Sequence, residues 1–129
     1  NYTKLKPNNK DKNNINKTIK ALNKTNPYSH TQGAVFRNNS ITYEKNKGTY
    51  LMLKKLKIKN NLINGFLVKY PKKKQDYRID LPTVGIKTLS QCKLARLKGI
   101  ILKDKKNIFL NKTECIKYAN KNKMFILVK

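Results

Sequence analysis

Gly99-Ile100-Ile101-Leu102-Lys103, Asn107-Ile108-Phe109-Leu110 and Met124-Phe125-Ile126-Leu127-Val128 are three strand-length apolar runs in the last part of a 129-residue chain. The charged turn Asp104-Lys105-Lys106 joins the first two. Asn111-Lys112-Thr113-Glu114 is a capping-box-like start and opens a helix to about Asn120, between the second run and the third. Upstream, residues 87–97 carry Leu89, Cys92 and Ala95 at helical spacing, with Gly99 just past the end. Helix, strand, strand, helix, strand is the order that results. Helices alternating with short strands predict an α/β or α+β fold with a mixed sheet and three to four helices.

The pattern extends toward the start of the chain. Gly33-Ala34-Val35-Phe36-Arg37, then Asn38-Asn39, then Ser40-Ile41-Thr42-Tyr43-Glu44 reads as a β-hairpin on a two-residue polar turn. Residues 11–22 place Ile15, Ile19 and Leu22 at helical spacing, with Asp11 as candidate N-cap. Asn26-Pro27-Tyr28 ends that helix. A short helix is expected near 49–57, a strand over 65–69, and a short buried strand over 81–84 stopped by Gly85. Residues 1–10 read as a linker or frayed start, and 11–129 as one domain with a modest core. The chain begins without methionine, so a longer parent chain is expected.

Composition bounds the function classes. No window approaches the ~20 apolar residues that span a bilayer. Cys92, Cys115 and the single His30 have no zinc-ligand spacing, and two free thiols fit a reducing cytoplasm. The net charge is +25, from 31 basic and six acidic side chains. That charge invites a nucleic-acid reading. Yet 28 of the 31 are lysine and only Arg37, Arg78 and Arg96 are arginine. Lysine, asparagine and isoleucine have AT-rich codons, so base composition accounts for the bias. The lysines are spread over every segment, and readers of nucleic acid lean on arginine. Weak, non-specific nucleic-acid binding is the expectation.

Two of the six carboxylates sit in Lys69-Tyr70-Pro71-Lys72-Lys73-Lys74-Gln75-Asp76-Tyr77-Arg78-Ile79-Asp80-Leu81-Pro82-Thr83-Val84-Gly85. Carboxylates suit Mg²⁺, and lysine and arginine suit phosphate, so the segment offers both halves of metal-assisted phosphate chemistry. The plainer reading is a polar loop before a buried strand.

The collinear order of these pieces over residues 11–128 resembles the C-terminal domain of the UDP-2,3-diacylglucosamine pyrophosphatases of lipid A biosynthesis, the LpxI type. The pieces are Ala34-Val35-Phe36-Arg37, Gly48-Thr49, Leu67-Val68-Lys69, the Gln75–Gly85 block, Gly99-Ile100 and Met124-Phe125-Ile126. Two departures stand out. The family's Glu-Gly-Thr-Asp is Lys47-Gly48-Thr49-Tyr50 here, and its Asp-Val-Gly-Gln is His30-Thr31-Gln32-Gly33.

The resemblance implies a Mg²⁺-dependent hydrolase that releases UMP and 2,3-diacylglucosamine 1-phosphate from a lipid-linked nucleotide sugar. It implies Asp76 and Asp80 as catalytic residues and metal ligands. It implies Lys69, Gln75, Arg78, Thr49 and Gly48 as substrate-binding residues. The substrate would lie between this domain and an N-terminal α/β domain of the same family. The expected place is the cytoplasm, peripheral to the inner membrane, with Lys72, Lys73 and Lys74 near anionic headgroups; a homodimer is allowed. The alternatives are a non-catalytic remnant of that family and a small basic nucleic-acid-binding module. Tyr43, Tyr50, Phe66 and Tyr70 read as core or cleft-wall aromatics, and both cysteines as core-facing.

Overall fold

In the computed structural model, residues 1–24, 33–44, 48–56, 62–70, 83–104 and 107–129 are described. They form α1 (Asn9–Asn23), β1 (Gly33–Arg37), β2 (Ser40–Tyr43), α2 (Gly48–Lys55), β3 (Phe66–Lys69) and β4 (Thr83–Val84). The rest is α3 (Ile86–Leu94), β5 (Gly99–Leu102), β6 (Ile108–Phe109), α4 (Lys112–Lys121) and β7 (Phe125–Val128). The fold is α/β, a single domain built on a mixed sheet of five strands in the order β2-β1-β3-β5-β7. β1 runs antiparallel to β2 and β3, whereas β3, β5 and β7 are parallel.

Local chemistry explains the hairpin. Asn38 and Asn39 both take the left-handed conformation, at φ 52° and 60°. This is the backbone of a tight two-residue turn, and asparagine tolerates it better than most residues. The turn sets the register Phe36↔Ile41 and Arg37↔Ser40.

Strand alternation splits the core into two layers. On one face Phe66, Val68, Ala34, Ile101 and Phe125 pack on Ile15 and Leu22 of α1. On the other, Leu67, Val35, Ile100, Leu102 and Ile126 pack on α2, α3 and α4 through Met52, Leu53, Leu89, Cys92, Cys115 and Ala119. Both cysteines are buried and free, as their helical spacing indicated. Parallel strands need long crossovers, and α3 and α4 lie in the two that connect β3 to β5 and β5 to β7.

Five local expectations change. First, residues 1–10 are not frayed. Tyr2 N–H donates to Ile126 O (2.9 Å), and Thr3 Oγ accepts from Ile126 N–H (3.0 Å). Thr3 is buried, and α1 already begins at Asn9. Second, the N-cap is Asn8. Its Oδ1 accepts from Asp11 N–H, and Asp11 Oδ2 accepts from Asn8 N–H, so Asp11 is the third-position partner of a capping box.

Third, β5 and β6 are not neighbouring strands. β5 is enclosed by β3 and β7, which leaves β6 no edge there, and β6 instead pairs in parallel with β4 as a separate two-stranded sheet. Fourth, Asn111 has no side-chain cap bond and adopts φ 50°, so the expected box does not form on α4. Fifth, the left-handed residue closing α3 is Arg96 (φ 61°), not Gly99. Leu97 N–H reaches Cys92 O and Arg96 N–H reaches Lys93 O, both at 3.0 Å, which is a Schellman closure. Leu97 is thereby buried and delivers the chain to β5.

Candidate functional site

The parallel strands β3, β5 and β7 end on one edge of the sheet, the edge where open α/β sheets bind ligands. Antiparallel β1 starts there, with Gly33 opposite Lys69, and β2 finishes there, with Glu44 N–H donating to Gly33 O (2.9 Å).

Three side chains meet at this edge. Lys69 lies on the same face of β3 as Leu67, toward α2 and α3. Its Nζ donates to Thr49 Oγ at 2.7 Å and lies 3.4 Å from Glu44 Oε1. Thr49 Oγ in turn donates to Glu44 Oε1 at 2.7 Å. Lys69 and Glu44 are both only 6% exposed, so the pair is held in low dielectric, where an unpartnered ammonium would be costly.

Two glycines make the arrangement fit. A Cβ at Gly33 would lie 3.1 Å from Lys69 Cδ and 3.5 Å from Glu44 Oε2, so its absence clears the path of the lysine stem. Gly48 has φ +88°, a backbone that other residues take at a cost, and it turns the chain into α2 so that Thr49 reaches the pair.

The edge is tied down by side chains around it. Asn107 Nδ2 donates to Lys69 O (3.2 Å) and Lys103 O (3.3 Å), bridging the ends of β3 and β5. Asn107 Oδ1 is buried without a hydrogen-bond partner. Tyr70 OH donates to Lys129 O (2.9 Å), and burial raises the phenol's pKa. Below the pair, burial pushes the Cys92 thiol up to about 12, against a smaller opposing effect of the Lys69 charge. Cys92 is thus a protonated core thiol, not a nucleophile.

Of the residues expected at a site, Lys69, Thr49 and Gly48 come together here. Gln75, Asp76, Arg78 and Asp80 lie outside the described residues, as do Lys72, Lys73, Lys74, Lys47 and His30. Phe66 is a core aromatic stacked on Phe36 at 5.4 Å, whereas Tyr50 (52% exposed) and Tyr43 face solvent. Glu44 is the residue that sequence reasoning missed as a site member. The available signal was its rarity: it is one of six acids and closes a strand. Among the described residues no three acids, histidines or cysteines cluster as a metal site, and Glu44 is engaged with Lys69 and Thr49.

The molecule is a three-layer α/β domain with a buried lysine–carboxylate–hydroxyl cluster at the carboxyl edge of its parallel strands, the edge at which open α/β sheets as a class bind ligands. The particular family is the LpxI C-terminal domain. Its profile matches residues 1–127, and the chain belongs to it. That membership ties the chain to a family of lipid A biosynthesis. No curated protein matches the chain.

Proposed function

We propose that this chain is the phosphate-handling half of a hydrolase that cleaves the pyrophosphate of UDP-2,3-diacylglucosamine to UMP and 2,3-diacylglucosamine 1-phosphate. The observation that carries the reading is the family match over residues 1–127. The cluster around Lys69 supports it. An ammonium has three donors; among the described residues Thr49 and Glu44 take two of them, and the third is the one assigned here to a phosphate oxygen. Glu44 and Thr49 act as positioning residues that fix the lysine at the edge where the chain enters residues 71–82.

In this reading Asp76 and Asp80 hold Mg²⁺, Arg78 clamps a phosphate through its planar fork, and Gln75 orients the water or the uracil. Bound Mg²⁺ supplies charge neutralisation and a more acidic water. Water adds to one phosphorus, the bridging P–O bond breaks, and the departing phosphate leaves as the second product.

The test is UMP release by the chain joined to an N-terminal domain of the family, with and without chelator. Asp76→Ala is expected to abolish release, whereas Asp104→Ala, outside the motif, leaves it near wild type. Equal rates for the two variants remove Asp76 from the mechanism. No release from any assembled form, restored by Lys47→Glu with Tyr50→Asp, identifies a non-catalytic remnant.

A further inference from the structure

Two helices on the α2–α3 side carry surface chemistry outside the Lys69–Thr49–Glu44 cluster. Leu94 is 74% exposed, Tyr50 is 52% exposed, and Ile86 is also at the surface. Between the helices lies a groove of about 290 Å³ lined by Tyr50, Leu53, Lys54, Leu56, Leu94 and Ala95, with Gln91. Its walls are mainly apolar. A large exposed leucine beside an open apolar groove is surface that prefers to leave water.

The charge around it has one sign. No acidic residue occurs between Glu44 and Asp76, or between Asp80 and Asp104, so α2 and α3 carry lysine and no carboxylate. Lys54 lines the groove, and Lys87 shares the face of α3 that carries Gln91 and Leu94; both lysines are exposed. Lys54 lies 5.9 Å from the centre of the Tyr50 ring. A long stem along an aromatic, with its ammonium kept in water, is how lysine behaves at a lipid interface.

We propose that the α2–α3 surface docks on an anionic lipid bilayer, with Leu94 and Tyr50 entering the interface and Lys54 and Lys87 meeting headgroup phosphates. The combination decides the occupant. Nucleic acid would take the lysines but gives Leu94 no apolar surface to enter. An anionic bilayer takes both. The proposal draws on no residue of the Lys72-Lys73-Lys74 run. It does not rest on the hydrolase reading, because the measured quantity is partition and not turnover.

The test is co-sedimentation of the full chain with phosphatidylcholine vesicles, with and without phosphatidylglycerol, at physiological salt. Binding is expected only with the anionic lipid. Leu94→Gln with Tyr50→Ser keeps the net charge and should weaken partition by at least about tenfold, from the apolar area lost. Leu5→Gln, at an exposed leucine in the segment beside β7, should leave partition unchanged. The chain has no tryptophan, so Leu94→Trp provides a single reporter whose emission should shift to the blue and be quenched by brominated lipid. The proposal is overturned if the double variant binds like wild type, since the attraction is then purely electrostatic. It is overturned equally if the indole emission of the Leu94→Trp variant does not respond to vesicles, or responds to a protein domain instead.

Discussion

Arg37 and Lys69 are cations set at opposite ends of the same face of the β1–β3 pair, and they are held in different ways. Arg37 Nε donates to Asn64 O (3.0 Å), and its guanidinium also bonds Ala95 O, at the closing turn of α3. Burial pulls its pKa down, but a guanidinium stays charged. Lys69 is met by an ionisable carboxylate and a hydroxyl. Carbonyls cannot change charge, and a cation placed at a helix's carboxyl end serves the architecture. A carboxylate partner instead balances a desolvated charge at the carboxyl edge of the parallel strands. One end of the face fastens the fold, and the other stores electrostatic potential.

The largest effect tests whether the Lys69 end is a true pair. Glu44→Leu strands a buried ammonium and should cost about 3–5 kcal/mol. Adding Lys69→Met should return much of that loss, because a buried pair is often replaceable by apolar groups. Urea denaturation of the three variants measures it; additive losses would mean the two side chains are energetically independent.

Arg37→Met comes next. Among the described residues, the bonds to Asn64 O and Ala95 O are lost and two carbonyls lose a charged donor, for about 2–3 kcal/mol. No apolar substitution at Asn64 or Ala95 can rescue those two bonds, since their acceptors are backbone. A loss as easily rescued as that at Glu44 would erase the contrast.

Cys92 reports on the Lys69 end through pH. Its folded pKa of about 12 lies above the unfolded value of 9.0, so the folded state binds more protons between these values. The stability this contributes is complete below pH 9.0 and is lost as pH rises toward 12. Denaturation midpoints should fall across that window, and less so in Cys92→Ala. In Lys69→Met the thiol should resist alkylation to higher pH still, because the opposing charge is gone.

The smallest effect belongs to the Arg37 end. Arg96→Gly relieves a left-handed non-glycine residue and should stabilise by about 1 kcal/mol. A calorimetric Tm that falls would mean the Arg96 side chain contributes more than its backbone costs.

The sequence made local decisions legible and long-range ones opaque. Asn38-Asn39 announced the hairpin because the turn is chosen by the residues in it. Leu89, Cys92 and Ala95 marked the buried face of α3 for the same reason. Asp11 misled by one role, since an acid in the first turn suits both the cap and the third position of a box. β6 misled because pairing is settled by which edges remain free, and β5 has none. The cluster at the carboxyl edge was half visible: Lys69, Thr49 and Gly48 were singled out, but Glu44 meets them across 25 and five positions of chain. No periodicity encodes such a meeting. The fold class and the family were thus readable, while the partner of the key lysine was not.

The binding of Tyr2 and Thr3 to Ile126 has a consequence for solubility. β7 is an outer strand of the sheet, and its sequence, Phe125-Ile126-Leu127-Val128, is uncharged and β-prone. An open strand of that kind is a template on which another copy can add. The first residues occupy part of that rim, taking up both the N–H and the carbonyl of Ile126. They act as a guard strip, and trimming them would convert a protected border into a self-association seam.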